Sequence, residues 1–196
     1  LSKDTGWTFG EESGLSAMVT SGTAGALTLA CLAILGPGDE IIIPDPYFVI
    51  YPTLARIAEA KAVKCDTYPD FRLTAERIEP LITAKTKAVL LNSPGNPTGA
   101  VLCAAEIEAI AKLCRDRGIL LISDEIYDEF IFPPHSHTSP SSYSEDVLII
   151  RGYSKTYGCT GWRLGYAAGP SRIIDEMSKL QQQTFVCAPS AFQKAI

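Results

Sequence analysis

The chain has 196 residues, 46% hydrophobic and 20% charged, with a formal net charge of −5. That size and balance describe one globular unit with a sizeable core, and the acidic excess excludes the basic footprint of a nucleic-acid binder. The longest apolar runs are too short to span a bilayer and Leu1-Ser2-Lys3-Asp4 carries no signal-peptide pattern, so no membrane partner and a cytoplasmic location are expected.

Along the chain, short β-rich runs alternate with helical ones. The small residues Thr20-Ser21-Gly22-Thr23-Ala24-Gly25 lead into a helix over 26–35. After the turn Gly36-Pro37-Gly38-Asp39 come a strand over 40–43, a helix over 47–60 and a strand over 61–65. A helix over 73–83 precedes a buried strand over 87–91, and the amphipathic pattern over 104–117 stops at Gly118. Strands follow over 119–123, 147–150 and 164–168, then a helix over 171–183 and the opening of another over 188–196. Continuous apolar strands separated by helices predict an α/β fold, a three-layer α/β/α sandwich around a mostly parallel central sheet. The abrupt ends suggest a piece of a longer protein.

The six cysteines form no Cys-x-x-Cys pair, and the two histidines, His135 and His137, fall in the Pro/Ser-rich stretch 133–145. No metal site is expected from this spacing; the thiols read as small apolar residues in a reducing compartment and the histidines as part of a solvated loop.

The informative segments fall at strand ends, where open parallel sheets bind ligands. The strand over 87–91 runs into Asn92-Ser93-Pro94-Gly95-Asn96-Pro97-Thr98-Gly99, that over 119–123 into Asp124 and Tyr127, and that over 147–150 into Ser154 and Lys155. The small residues before the first helix suit an anion, because backbone N–H groups can approach it and the helix dipole favours negative charge. Each residue alone has an ordinary explanation: a solvated Lys155, a capping Asp124, a turn at Asn96-Pro97, core aromatics at Phe48 and Tyr127, a surface Arg163. Together they supply an amine, a carboxylate, a phenol, an amide and a guanidinium along one edge. That set suits a phosphorylated pyridine aldehyde and imine chemistry.

Ser21-Gly22-Thr23-Ala24-Gly25-Ala26-Leu27, Asp45-Pro46-Tyr47-Phe48, Asn96-Pro97-Thr98-Gly99, Ser123-Asp124-Glu125-Ile126-Tyr127 and Ser154-Lys155-Thr156-Tyr157-Gly158 through Gly161-Trp162-Arg163-Leu164-Gly165-Tyr166 carry a resemblance. In this order they are similar to the large domain of the aspartate aminotransferase family, the fold type I, class I/II aminotransferases dependent on pyridoxal 5′-phosphate. The resemblance implies that residues 1–196 form that cofactor-binding domain, with the small domain absent. It implies that Lys155 forms a Schiff base with the cofactor and moves a proton, that Asp124 pairs with the pyridinium nitrogen, and that Asn96 and Tyr127 donate to the phenolate oxygen. Phe48 then stacks on the ring. The backbone of Gly22, Thr23 and Ala24, with the Thr23 hydroxyl available, and Arg163 hold the phosphate. A cis Asn96-Pro97 bond is expected to aim the amide. Amino acid and 2-oxo acid substrates and a homodimer of the full-length protein are implied as well.

The pattern departs from the family at three positions. Gly152 stands where many relatives carry a phosphate-binding serine, with Ser154 the candidate replacement. Ala24 and Gln183 stand near positions where aspartate-specific branches place a lysine or an arginine. The same lysine, aspartate and arginine would serve a C–S β-lyase or a cyclopropane-forming synthase of this fold, and a non-catalytic regulatory domain is the remaining alternative.

Overall fold

A computed structural model describes residues 2–196. In chain order its helices and strands are α1 (Ser2–Thr5), β1 (Leu15–Ser21), α2 (Gly22–Ile34), β2 (Glu40–Asp45), α3 (Ile50–Ile57), β3 (Lys61–Asp66) and α4 (Ala75–Ile78). They continue with β4 (Thr86–Asn92), α5 (Ala104–Arg117), β5 (Leu120–Asp124), β6 (Val147–Gly152), β7 (Leu164–Pro170), α6 (Ser171–Thr184) and α7 (Ser190–Ala195). The strands form one seven-stranded sheet in the order β1-β7-β6-β5-β4-β2-β3. From β3 through β6 all pairings are parallel; β7 alone is reversed, antiparallel to β6 on one side and to β1 on the other.

Period-two alternation divides the core between two faces. Ile41, Ile43, Leu90, Ile122, Leu148 and Ile150 pack with α2, α3 and α6 through residues such as Leu27, Tyr51 and Met177. Their neighbours Ile42, Val89, Leu91, Leu121 and Ile149 point the other way, onto Ile78 of α4 and Ile107, Ile110 and Cys114 of α5. Because both faces are covered, β4, β5 and β6 read as unbroken apolar runs, and the expected three layers are observed.

Some expected elements end elsewhere. The helix expected over 47–60 is shortened to α3; at its far end Glu59, at φ 57°, lies outside the helical region. The helix expected over 73–83 is one short turn, α4, followed by a 3-10 turn at Glu79–Leu81 with Pro80 inside it; proline removes the donor that a longer α-helix would need. By contrast α5 matches its expected bounds and stops where Gly118 turns left-handed at φ 65°. Cys31, Cys65 and Cys114 are buried as expected of small apolar residues, whereas Cys103 and Cys187 are exposed.

Leu121 on central β5 is fully buried. Leu121→Ala should lower the unfolding free energy by about 2–5 kcal/mol in urea denaturation, whereas Lys112→Ala, at an exposed helical pair with Asp116, should change it by less than about 0.5 kcal/mol.

Candidate active site

The topology gathers the candidate residues on one edge. Strands β1, β2, β4, β5 and β6 all deliver their carboxyl ends there, presenting Gly22, Phe48, Asn96, Asp124 and Lys155 in the segments that follow. The reversal of β7 brings Arg163, the residue immediately before it, to the same edge. A second consequence is close backbone approach: a Cβ on Gly165 would lie 2.7 Å from the Gly22 carbonyl carbon and 2.9 Å from the Thr23 nitrogen. Glycine there lets β7 run directly beneath the β1–α2 turn.

That turn and Arg163 form a candidate anion cradle. Gly22 opens the 13-residue helix α2 with φ 68°. The backbone angle favours glycine here, and its missing Cβ, which would lie 2.6 Å from Arg163 Nη2, leaves room for the guanidinium to lie against it. Arg163 is itself left-handed at φ 52°, and its Nη1 donates to the Thr160 carbonyl at 3.0 Å. Thr23 and Ala24 follow on the first turn of α2, half-buried, where backbone N–H groups lack helical partners. At Gly152 a Cβ would meet Thr23 Cγ2 and Ile126 Cδ1 at 3.0 Å each, so a larger residue there would be tight against both side chains. Ser154 is buried.

The second group centres on Asp124, only 3% exposed at the end of β5. Tyr51 on α3 donates its hydroxyl to Oδ2 at 2.9 Å, and the Ile126 amide donates to Oδ1 at 3.3 Å. Burial pushes the Asp124 carboxyl up to about 6, partly opposed by those two hydrogen bonds; the neighbouring Glu125 charge adds to the rise. None of the groups acting on it is a cation. Phe48 meets Tyr51 edge-on, ring centroids 5.7 Å apart, so the Phe48 ring stands beside the aspartate's support.

Across from these lie Asn96, Tyr127 and Lys155. Asn96 Nδ2 is 3.5 Å from Tyr127 Oη, and Lys155 Nζ sits 5.9 Å from the Tyr127 ring centroid. Asn92 fixes this corner from both sides: its Nδ2 donates to the Asp124 carbonyl at 2.9 Å, and its Oδ1 accepts from the Asn96 amide at 2.8 Å. The Asn96-Pro97 bond is cis, as expected. Lys155 and Arg163 are exposed, whereas Asn96, Tyr127 and Phe48 are half-buried and Asp124 is buried, all in segments at the same sheet edge.

Two features escaped the sequence reading. Tyr51 is one; its only sequence signal is its position one helical turn after Phe48. The other is a buried ionic cluster on the far side of the β5 end. Glu125 Oε2 pairs with Arg151 Nη2 at 2.7 Å and with His137 Nε2 at 3.2 Å, while Ser123 and Ser139 donate to Oε1 at 2.9 and 2.8 Å. His137 therefore does not belong to a solvated loop: it closes the 133–145 segment onto the sheet. Burial alone would raise Glu125, but His137, Arg151 and Ser139 more than offset it and hold the carboxyl below its ordinary value. Two adjacent carboxyls, on opposite faces of one strand end, are thus driven in opposite directions.

A cavity of about 420 Å³ lies at the opposite edge of the sheet, lined by Lys87, Arg115 and Arg172, but Lys87 and Arg172 are already paired with Asp39 and Asp146. Among the described residues no cluster of three or more His, Cys, Asp or Glu is placed to hold a metal ion, and no helix is long and apolar enough to cross a membrane.

A doubly covered, mostly parallel sheet with a glycine-rich helix start, a dry carboxyl and an exposed lysine along one edge places the chain in the three-layer α/β class. The family profile described as aminotransferase class I and II matches residues 11–196, and the chain belongs to that family. It is 41% identical to the bifunctional aspartate aminotransferase and glutamate/aspartate-prephenate aminotransferase of Petunia hybrida, with 94% of this chain and 41% of that protein covered. It is 37% identical to the probable aspartate aminotransferase of Methanocaldococcus jannaschii, covering 90% of this chain and 48% of that protein. The structure of a Thermus thermophilus aspartate aminotransferase with maleate superposes with a TM-score of 0.90 at 37% identity, over 96% of this chain and 49% of that one. The chain therefore spans about half the length of the curated relatives it matches, and its fold is that of fold type I aminotransferases.

The raised Asp124 carboxyl has a stability consequence. In the ligand-free chain the folded state holds a proton on Asp124 up to about pH 6, whereas the unfolded chain releases it near its ordinary value of 3.8. As the pH rises through that window the folded state binds more protons than the unfolded one, so stability is lost, by about 3 kcal/mol in total. Asp124→Asn lacks this loss. Its unfolding free energy should therefore gain on wild type by most of that amount between about pH 4 and about pH 7, whatever its offset, in parallel urea titrations.

Proposed function

We propose that residues 1–196 are the cofactor-binding large domain of a pyridoxal 5′-phosphate-dependent aminotransferase that moves an amino group from an amino acid to a 2-oxo acid. The observation that carries the reading is Asp124, a carboxyl buried at a strand end with hydrogen-bond support but no cation among the groups acting on it. A protonated pyridine nitrogen is a partner of the right charge for such a group.

The other residues fit the same molecule. The Gly22–Thr23–Ala24 amides at the start of α2 and the Arg163 guanidinium against Gly22 match a phosphate, which prefers helix N-termini and bidentate arginine. Thr23 offers the hydroxyl that Gly152 lacks. Asn96 Nδ2 and Tyr127 Oη converge to within 3.5 Å, as two donors to one phenolate oxygen would. Phe48 supplies an aromatic face and Lys155 an accessible amine. When bound, pyridoxal phosphate supplies an aldehyde carbon and a ring that accepts electrons from a bond broken at the substrate Cα. The protein's part is then positional and acid–base. Asp124 would hold the ring nitrogen protonated, the Gly22–Ala24 amides and Arg163 would hold the phosphate end, and Lys155 Nζ would supply the amine that anchors the aldehyde and the base that moves the proton at the substrate Cα.

The relatives' names point to aspartate as one amino donor for those proteins. For this chain we propose an amino acid donor without assigning aspartate, because Ala24 and Gln183 bring no cation to the positions noted above. A homodimer of the whole protein is proposed on the apolar surface near the site. Trp162 stacks on Phe192 at 4.8 Å, and Tyr157 and Val186 are 70% and 66% exposed.

Incubation with pyridoxal phosphate followed by borohydride reduction should fix the cofactor on the Lys155 peptide in mass spectrometry, and Lys155→Ala should abolish that adduct. With the full-length protein, candidate amino acids should convert the cofactor to its amine form with release of the 2-oxo acid; release of ammonia and pyruvate instead would turn the assignment to a β-lyase. Arg163→Ala should weaken cofactor affinity by roughly 10- to 100-fold in equilibrium dialysis, the loss of one charge-assisted contact.

A further inference from the structure

We propose that Tyr51 is a positioning residue for the cofactor: its hydroxyl fixes Asp124 Oδ2 and supports the carboxylate's charge, so that this side chain stays ionised and oriented where the ring nitrogen is to be held. The inference rests on the reading of the site given above and assigns a residue outside the motifs that identify it.

Tyr51 is 2% exposed and reaches Asp124 from α3, across the sheet face, at 2.9 Å. It is the one side chain that donates to this carboxyl among the described residues; the other donor, the Ile126 amide, is longer at 3.3 Å and belongs to the same loop. Burial and the adjacent carboxylate both push the Tyr51 phenol well above its ordinary range, so it remains a donor at every working pH. The charged groups that face the pair are few. Glu125 is adjacent, but its charge is met by Arg151 and His137 on the opposite side of the strand. Tyr127 follows in the same loop and acts on Tyr51 electrostatically. With little else to stabilise a dry carboxylate, removal of one donor must raise its proton affinity. A neutral Asp124 accepts less strongly and cannot balance a protonated ring.

The test reads Asp124 directly, in the ligand-free chain carrying ¹³C-carboxyl aspartate, with Asp124→Asn assigning the resonance. Tyr51→Phe, which removes one oxygen and preserves the ring, should move the Asp124 midpoint upward by about 1–2 pH units, the equivalent of one hydrogen bond to a charged group. Replacement of Tyr51 by 3-fluorotyrosine, a stronger donor of the same shape, should move the midpoint below wild type, and decides the matter should the phenylalanine variant not fold. In the full-length protein the pH below which pyridoxal phosphate affinity falls should rise by the same amount in Tyr51→Phe. A midpoint that stays put in both substitutions overturns the role of Tyr51 while leaving the cofactor assignment intact. Wild-type protein that binds no pyridoxal phosphate overturns the assignment and, with it, any role of Tyr51 toward the ring.

Discussion

The structure is organised around one costly group, the Asp124 carboxyl, held dry at the end of a central strand. Burying an ionisable group works against folding unless a partner compensates it, and here the protein supplies only part of the compensation. The rest of the fold tolerates the remainder. Strands β4, β5 and β6 are apolar on both faces and pack against helices on each side, so the carboxyl sits on a platform whose stability comes from elsewhere. On the proposed reading, a cationic ring nitrogen would relieve the uncompensated share, and function and stability would oppose each other at a single residue.

Glu125 shows the other solution to the same problem. One residue further on, the side chain points to the opposite face and meets Arg151, His137 and two serine hydroxyls. Fully satisfied, it ties the end of β5 to the end of β6 and to the 133–145 segment, and so fixes the distance between the strand that carries Asp124 and the strand that leads to Lys155. Alternation along an extended chain thus separates a structural carboxylate from a chemical one within two residues. The Asn92 side chain makes a similar tie between β4 and β5, bonding the Asp124 carbonyl and the Asn96 amide at once.

Much of this was legible in the sequence. Unbroken apolar runs marked β2, β4, β5 and β6, the helical period and Gly118 marked α5, and the strand-end motifs marked candidate residues that the structure places along one edge. What stayed hidden has physical causes. β1 was not anticipated because Ser16, Ala17 and Thr20 break up its apolar alternation. The reversal of β7, which carries Arg163 to the site, leaves no mark in local composition, because a buried strand looks the same in either direction. Tyr51 and the Glu125 cluster depend on contacts 73 and 26 residues apart in sequence, through Asp124 and Arg151 respectively, which no local pattern encodes.

The glycines at the cradle show why the reversed strand matters to the chemistry. Gly165 admits the β1–α2 turn against the start of β7, Gly152 leaves room for the Thr23 methyl, and Gly22 leaves room for the guanidinium of Arg163. Each omitted side chain lets backbone or a functional group occupy its volume, so the helix N-terminus, the guanidinium and the Thr23 side chain converge on one small space. A side chain at 152 would crowd the Thr23 methyl and Ile126, which would have to give by a few tenths of an ångström.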